Sequence, residues 1–94
     1  MTSTFDETIH APHRLRICAS LDATDSTEFG VLRDMLGVAD SVLSKHLKVL
    51  QDAGHVTITK PTGRGRVKTW VSLTPSGRKA YAGHVAALRA MIDG

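Results

Sequence analysis

The chain of 94 residues has a single cysteine, Cys18, so no disulfide can close within it. Cys18 stands among Leu15, Ile17 and Leu21, which suits a buried thiol acting as core filler; a redox-sensing thiol is the alternative. Long apolar runs are also missing. No segment approaches the length of a bilayer span, and the start Met1-Thr2-Ser3-Thr4-Phe5-Asp6-Glu7 lacks the basic residues and apolar stretch of a secretory signal. A cytoplasmic protein with no membrane contact is expected. Catalytic signatures are absent as well: there is no nucleophile motif, no paired-carboxylate arrangement and no phosphate loop. Gly63-Arg64-Gly65-Arg66 lacks the spacing and the following helix that a nucleotide cradle requires. His10, His13, His55 and His84 are scattered without the short spacing of a metal site. The expectation is a protein that is not an enzyme and has no metal or cofactor.

With 41% hydrophobic residues the chain can bury one small core, with no room for a separate ligand-binding domain. The net charge of +3 is modest but unevenly placed. Between Lys45 and Lys68 lie six cations, Lys45, Lys48, Lys60, Arg64, Arg66 and Lys68, against the single anion Asp52. Such a run seen alone is a solvated face; its coincidence with the helix and loop described next makes it a candidate nucleic-acid surface.

Residues 1–11 are polar, and Phe5 and Ile9, four apart, suit a short helical arm packed on a neighbour. Pro12 fits the first turn of a helix that runs to Leu21 and buries Leu15, Ile17, Cys18 and Leu21. The acidic run from Asp22 to Glu28 reads as a loop, with Thr27 in a very short strand. Phe29, Leu32 and Leu36 share one helical face that Gly37 ends. After the short turn Gly37-Val38-Ala39, Asp40 is expected to cap the next helix, because its carboxylate can accept from free backbone N–H groups and Ala39 cannot.

In that next helix Leu43, Leu47 and Leu50 make one apolar stripe, and Gly54 stops it. The opposite face carries Ser41, Ser44, Lys45 and Lys48, small hydrogen-bonding and cationic side chains suited to base edges and phosphates. His46, beside the stripe, reads as a partly buried structural histidine bonded to a neighbouring loop. His55 to Lys60 and Val67 to Leu73 alternate at period two around the loop Pro61-Thr62-Gly63-Arg64-Gly65-Arg66, a hairpin whose loop has nothing apolar to bury. Trp70 falls on the face opposite Val67 and Val71, where it covers the stems of Lys60 or Lys68. Thr74 then caps a last helix with Pro75 at its first position, along which Tyr81, Val85, Leu88 and Ile92 form a stripe extended by Met91. That stripe suits a contact with a symmetry mate, or packing on its own domain.

The element order is that of a winged helix-turn-helix: mainly α with a small antiparallel β-hairpin, ending in a C-terminal dimerisation helix. Arg14-Leu15-Arg16-Ile17, Phe29 through Gly37, Leu43-Ser44-Lys45-His46-Leu47 through Ala53-Gly54 and Leu73-Thr74-Pro75-Ser76-Gly77-Arg78 resemble the small winged-helix transcriptional regulators related to the MarR and ArsR families. The resemblance implies a dimeric DNA-binding regulator with a recognition helix in the major groove and a wing in the minor groove. Two departures are Ala39, where a Ser or Thr cap is usual, and His55, where a bulky residue follows the glycine; the cysteine-rich metal motifs of the ArsR group are absent.

The expected organisation is an arm over 1–11, a DNA-binding domain over 12–74 and a C-terminal helix over 75–94. The expected function is sequence-specific regulation by a dimeric repressor that binds double-stranded DNA, with no effector assigned; a protein-interaction winged helix is the alternative. Asp40, Ser41, Val42, Ser44, Lys45, Lys48, Lys60, Arg64, Arg66 and Lys68 are the candidate DNA contacts. Phe5, Ile9, Tyr81, Val85, Leu88, Met91 and Ile92 are the candidate dimer contacts.

Overall fold

A computed structural model describes residues 4–60 and 68–94 of the chain. Its order is α1 (Glu7–His10), α2 (Pro12–Asp22), β1 (Thr27–Glu28), α3 (Phe29–Leu36), α4 (Asp40–Asp52), β2 (Val56–Thr59), β3 (Trp70–Leu73) and α5 (Pro75–Asp93). The strands form an antiparallel sheet in the order β1-β3-β2, with Thr27 opposite Val71 and Val56 opposite Leu73. The hairpin thus gains the third strand expected at Thr27, and its paired strands are shorter than the alternating pattern, since His55, Lys60 and Lys68 fall outside them. Val67 and the loop of residues 61–66 lie outside the described residues.

Helices α2, α3 and α4 close around one core. Ile9, Ile17, Cys18, Leu21, Leu32, Leu43, Leu50 and Val71 are fully buried, and Leu36, Leu47, Val56 and Leu73 nearly so. The stripe expected on α4 is the face that packs, and each buried leucine contributes about 1.5–3 kcal/mol relative to an exposed one. Leu15, expected to be buried, is half-buried against this cluster.

Local chemistry sets the junctions. Gly37 and Gly54 hold φ of 68° and 79°, the left-handed turn that ends α3 and follows α4. At the start of α5 the Thr74 hydroxyl accepts from the Gly77 amide at 2.9 Å and donates to the Gly54 carbonyl at 2.6 Å, so one side chain caps a helix and ties it to the turn after α4. Gly77 is buried against the His55 backbone, where a β-carbon would overlap the carbonyl.

Three expectations need correction. Ala39, not Asp40, occupies the cap of α4: its carbonyl accepts from Val42 and Leu43, both at 3.1 Å, and no side chain caps the helix. Asp40 is the first helical residue, where its negative charge still suits the helix N-terminus. His46 is half-buried as expected, but its Nδ1 accepts from the Arg14 guanidinium of α2 at 3.1 Å and not from a loop. Ile9 does not present itself to a neighbour; it is 0% exposed within the chain's own core, and Phe5 is half-buried against the rings of His10 and His84. The arm folds back because the Asp6 carboxylate caps α1 through the Ile9 amide at 3.0 Å and so turns Ile9 inward.

Candidate nucleic-acid interface

The exposed face of α4 follows from the stripe that anchors it. With Leu43, Leu47 and Leu50 turned to the core, helical periodicity leaves Asp40, Ser41, Ser44, Lys45 and Lys48 exposed on the other side, and Val42 is 38% exposed. Lys60 and Lys68, flanking the loop, are exposed as well. Eight of the ten candidate DNA contacts therefore lie at the surface of the described residues. The remaining two, Arg64 and Arg66, lie outside the described residues.

The structure brings only some of these side chains together. A cleft of about 320 Å³ between α4 and the sheet has Asp40, Ser44, Lys48 and Lys60 at its rim and Phe29, Leu47 and Ile58 in its wall. Gln51 also lines this cleft, a polar residue one turn beyond Lys48 that sequence reasoning missed although it continues the same face. Ser41 and Lys45 stand apart from the cleft.

Several of the charges are already engaged. Lys48 Nζ lies 3.0 Å from Asp52, one helical turn on, and Lys68 Nζ lies 3.8 Å from Glu28. Arg33 of α3 pairs with Asp40 at 3.0 Å and with Asp34 at 3.1 Å. The hydrogen bond to Asp40, then that to Asp34, pushes the already high pKa of the guanidinium further up. Asp40 thus serves to fasten the start of α4 to α3, and sequence reasoning missed Arg33 because its partner lies across the turn. Among the described residues Lys45 and Lys60 make no ion pair, so both ammonium groups are available to a polyanion.

The C-terminal helix presents a different surface. Its inward face consists of Gly77, His84 and Ala87, with Ala80 and Tyr81 packed against the core. Burial, and then the charges of Asp22 and Cys18, raise the Tyr81 phenol above its ordinary pKa of 10.0. Of the residues expected at a dimer contact, Val85 and Leu88 are half-buried, while Met91 is 64% and Ile92 81% exposed.

These elements, in this order and with an exposed basic helix before the hairpin, match the model of the winged helix DNA-binding domain over residues 13–92. The chain belongs to this family. Similar proteins include an uncharacterized protein of Methanocaldococcus jannaschii, 36% identical over 72 residues that cover 77% of this chain and 78% of that one. The transcriptional regulator homologue protein of Pyrococcus horikoshii OT3 superposes with a TM-score of 0.89 at 27% identity, over 95% of this chain and 88% of that one. A MarR family transcriptional regulator of Silicibacter pomeroyi gives a TM-score of 0.69 at 32% identity, over 88% of this chain and 55% of that one. In the order of elements, α3 and α4 stand where a helix-turn-helix is found in a winged helix domain. No helix among the described residues is long and apolar enough to cross a membrane.

Proposed function

We propose that this winged helix protein is a transcriptional regulator that binds specific duplex sites as a two-fold dimer and represses by occupying a promoter. The observation that carries the reading is the division of α4: three leucines hold it to the core while Ser41, Ser44, Lys45 and Lys48 lie exposed at the surface, Lys48 paired with Asp52. Serine and lysine there supply hydrogen bonds to base edges and charge for phosphates. The loop bearing Arg64 and Arg66, with Lys60 and Lys68 at its base, supplies a second basic contact in the minor groove, where the potential is most negative. Val42, beside the serines, supplies apolar contact for a thymine methyl group.

Residues 12–74 form the DNA-binding part, with residues 1–11 as an arm and 75–94 as the helix that reaches a second copy. The outward apolar surface of α5, Val85, Leu88, Met91 and Ile92, supports that pairing, and a two-fold dimer offers two α4 helices to half-sites about 34 Å apart. Phe5, Ile9 and Tyr81, also candidates for this contact, are left out of it, because all three pack within the chain. The protein is assigned no catalytic role and no effector.

Selecting fragments from genomic DNA with purified protein tests the function and supplies the site. A shared motif in the bound fragments, with affinity that falls steeply as salt rises, is the expected result. Recovery of random fragments, or absence of duplex binding at low salt, would replace this reading with that of a protein-interaction module.

A further inference from the structure

None of the histidines lines the cleft, and they build a polar cluster of their own. All five histidines, dispersed in sequence, fall into two groups: His10, His55 and His84 around Asp6, and His13 beside His46 with ring centroids 5.3 Å apart. Asp6 is the hub of the first group. Its Oδ1 caps α1, its Oδ2 accepts from His55 Nε2 at 3.2 Å, and its backbone N–H donates to His84 Nδ1 at 3.0 Å.

His84 is 0% exposed on α5. A backbone N–H can only donate, so Nδ1 of His84 must carry a lone pair, and the neutral ring holds its proton on Nε2, facing His10 Nδ1 at 3.2 Å. The Phe5 ring packs on both imidazoles, with centroids 4.8 and 4.7 Å away. Further along the arm, the Thr8 carbonyl accepts from Arg14 Nε, and Arg14 Nη1 donates to His46 Nδ1 on α4 at 3.1 Å. Guanidinium has no acceptor, so His46 Nδ1 must also be unprotonated. A continuous line of contacts therefore runs from α5 through the arm and Arg14 to the recognition helix, with an obligate acceptor imidazole at each end.

We propose that the N-terminal arm is a proton-released clasp: a proton from solvent adds to His84 Nδ1, sets donor against donor at the Asp6 amide, frees the arm, and slackens the Thr8–Arg14–His46 brace on α4. The charged groups around both rings set the direction. His84 faces His10, which opposes a second positive charge, and Asp6, which favours it, with His55 bonded to that carboxylate. His46 faces Arg14 and His13 from α2 and Lys45 on its own helix, all of which oppose its charging. Burial is the largest effect at both rings, and both are held below the ordinary imidazole value of 6.5. A ring whose docked-state pKa is lowered favours docking above 6.5 and loses that contribution as pH falls through the lowered value. The arm is thus closed at neutral pH and opens on acidification.

The test is an NMR titration of the full chain from about pH 8 to about pH 5, the range in which imidazoles change charge. The amides of Asp6 and Ile9 should leave their docked positions together, with a midpoint below 6.5, while Ile17 and Val71 stay in place. Nitrogen shifts of the His84 ring should report protonation of Nδ1 in the same step. His84→Asn, whose oxygen sits near the place of Nδ1 and cannot titrate, should keep the arm docked throughout. An arm that stays docked in the unmodified chain, a His84 ring that stays neutral while the arm leaves, or His84→Asn releasing at the same midpoint would each overturn the clasp. Should the smaller Asn fail to hold the arm at any pH, the ring titration of the unmodified chain decides alone.

The consequence for α4 rests on the regulator reading, and selected duplex fragments at the two ends of the pH range test it separately. Acid charges histidines in both proteins and strengthens general attraction to DNA, so the ratio of the two affinities is what matters. Relative to His84→Asn, the unmodified chain should weaken by about fivefold or more on acidification. An unchanged ratio despite arm release would overturn the link to α4. Failure of both proteins to bind any duplex would count against the regulator reading, and the NMR titration would still decide the clasp.

Discussion

The assignment of faces on α4 can be tested by three alanine substitutions whose costs differ for structural reasons. Leu43 is 0% and Leu47 2% exposed, and each change to alanine removes about three carbon groups at about 0.8 kcal/mol each, or about 2.4 kcal/mol of transfer free energy. The void adds to this, but not equally. Leu47 forms part of the cleft wall, where neighbouring side chains and solvent can move into the space, whereas Leu43 does not line it. Leu47→Ala should therefore cost about 2–3 kcal/mol and Leu43→Ala about 3–5 kcal/mol. For a domain of this size each kcal/mol lowers Tm by about 4–8 °C. Lys45 is exposed and makes no ion pair among the described residues, so Lys45→Ala should change stability by less than about 0.5 kcal/mol. It should instead lose about 1–3 kcal/mol of binding at a selected site, with a smaller loss on random DNA. Urea unfolding at one fixed protein concentration and duplex binding at one salt concentration measure both quantities. A Leu47→Ala protein of unaltered stability with selectively lost site binding, or an unfolded Lys45→Ala protein, would show that the faces are assigned the wrong way round.

The wing should contribute mainly charge: Arg64→Ala with Arg66→Ala should weaken binding to most duplexes and lower the salt slope by about one to two units while leaving the fold intact, and an unaltered slope would remove the loop from the interface. Sedimentation at micromolar concentration should find a dimer that Leu88→Asp disrupts; a monomer insensitive to that change would refute the pairing through α5. Cys18 is 0% exposed, and burial, with smaller effects of Asp6 and Asp22 outweighing Arg14, pushes its thiol up to about 12. At pH 8 only about one thiolate in ten thousand is then present, so a thiol reagent should label native protein no faster than it unfolds, and rapid labelling would instead favour a redox role.

The parts of this protein legible in its sequence are those where a period repeats against one solvent-facing side. Leu43, Leu47 and Leu50 located α4, Phe29, Leu32 and Leu36 located α3, and Thr74-Pro75 located the start of α5, because burial and capping act through near neighbours. The cap of α4 was misread for an instructive reason. Asp40 has the better capping group, but in the structure its carboxylate lies 3.0 Å from the Arg33 guanidinium, and the helix begins after an alanine that offers only its backbone. The histidine cluster was illegible because its members are brought together by the fold. His10 and His84 are hydrogen-bonded across 74 residues, and Asp6 and His55 across 49, so no short spacing announces them.

Helix α5 carries the same lesson into function. Its apolar stripe suits a contact with a symmetry mate, yet one member, Tyr81, meets the chain's own core together with Gly77, Ala80, His84 and Ala87. The reason is distance: Gly77 lets the start of the helix touch the His55 backbone, and an approach that close admits small side chains next to it and a single imidazole where the arm crosses. The remaining apolar residues of the stripe lie off that face, Val85 and Leu88 half-buried and Met91 and Ile92 turned to solvent. An exposed apolar surface of this kind is costly to leave in water at about 25 cal/mol per Å². A second copy meeting it along a two-fold axis would cover it twice over, and the close inward packing of small residues is then what frees the outward face to do so.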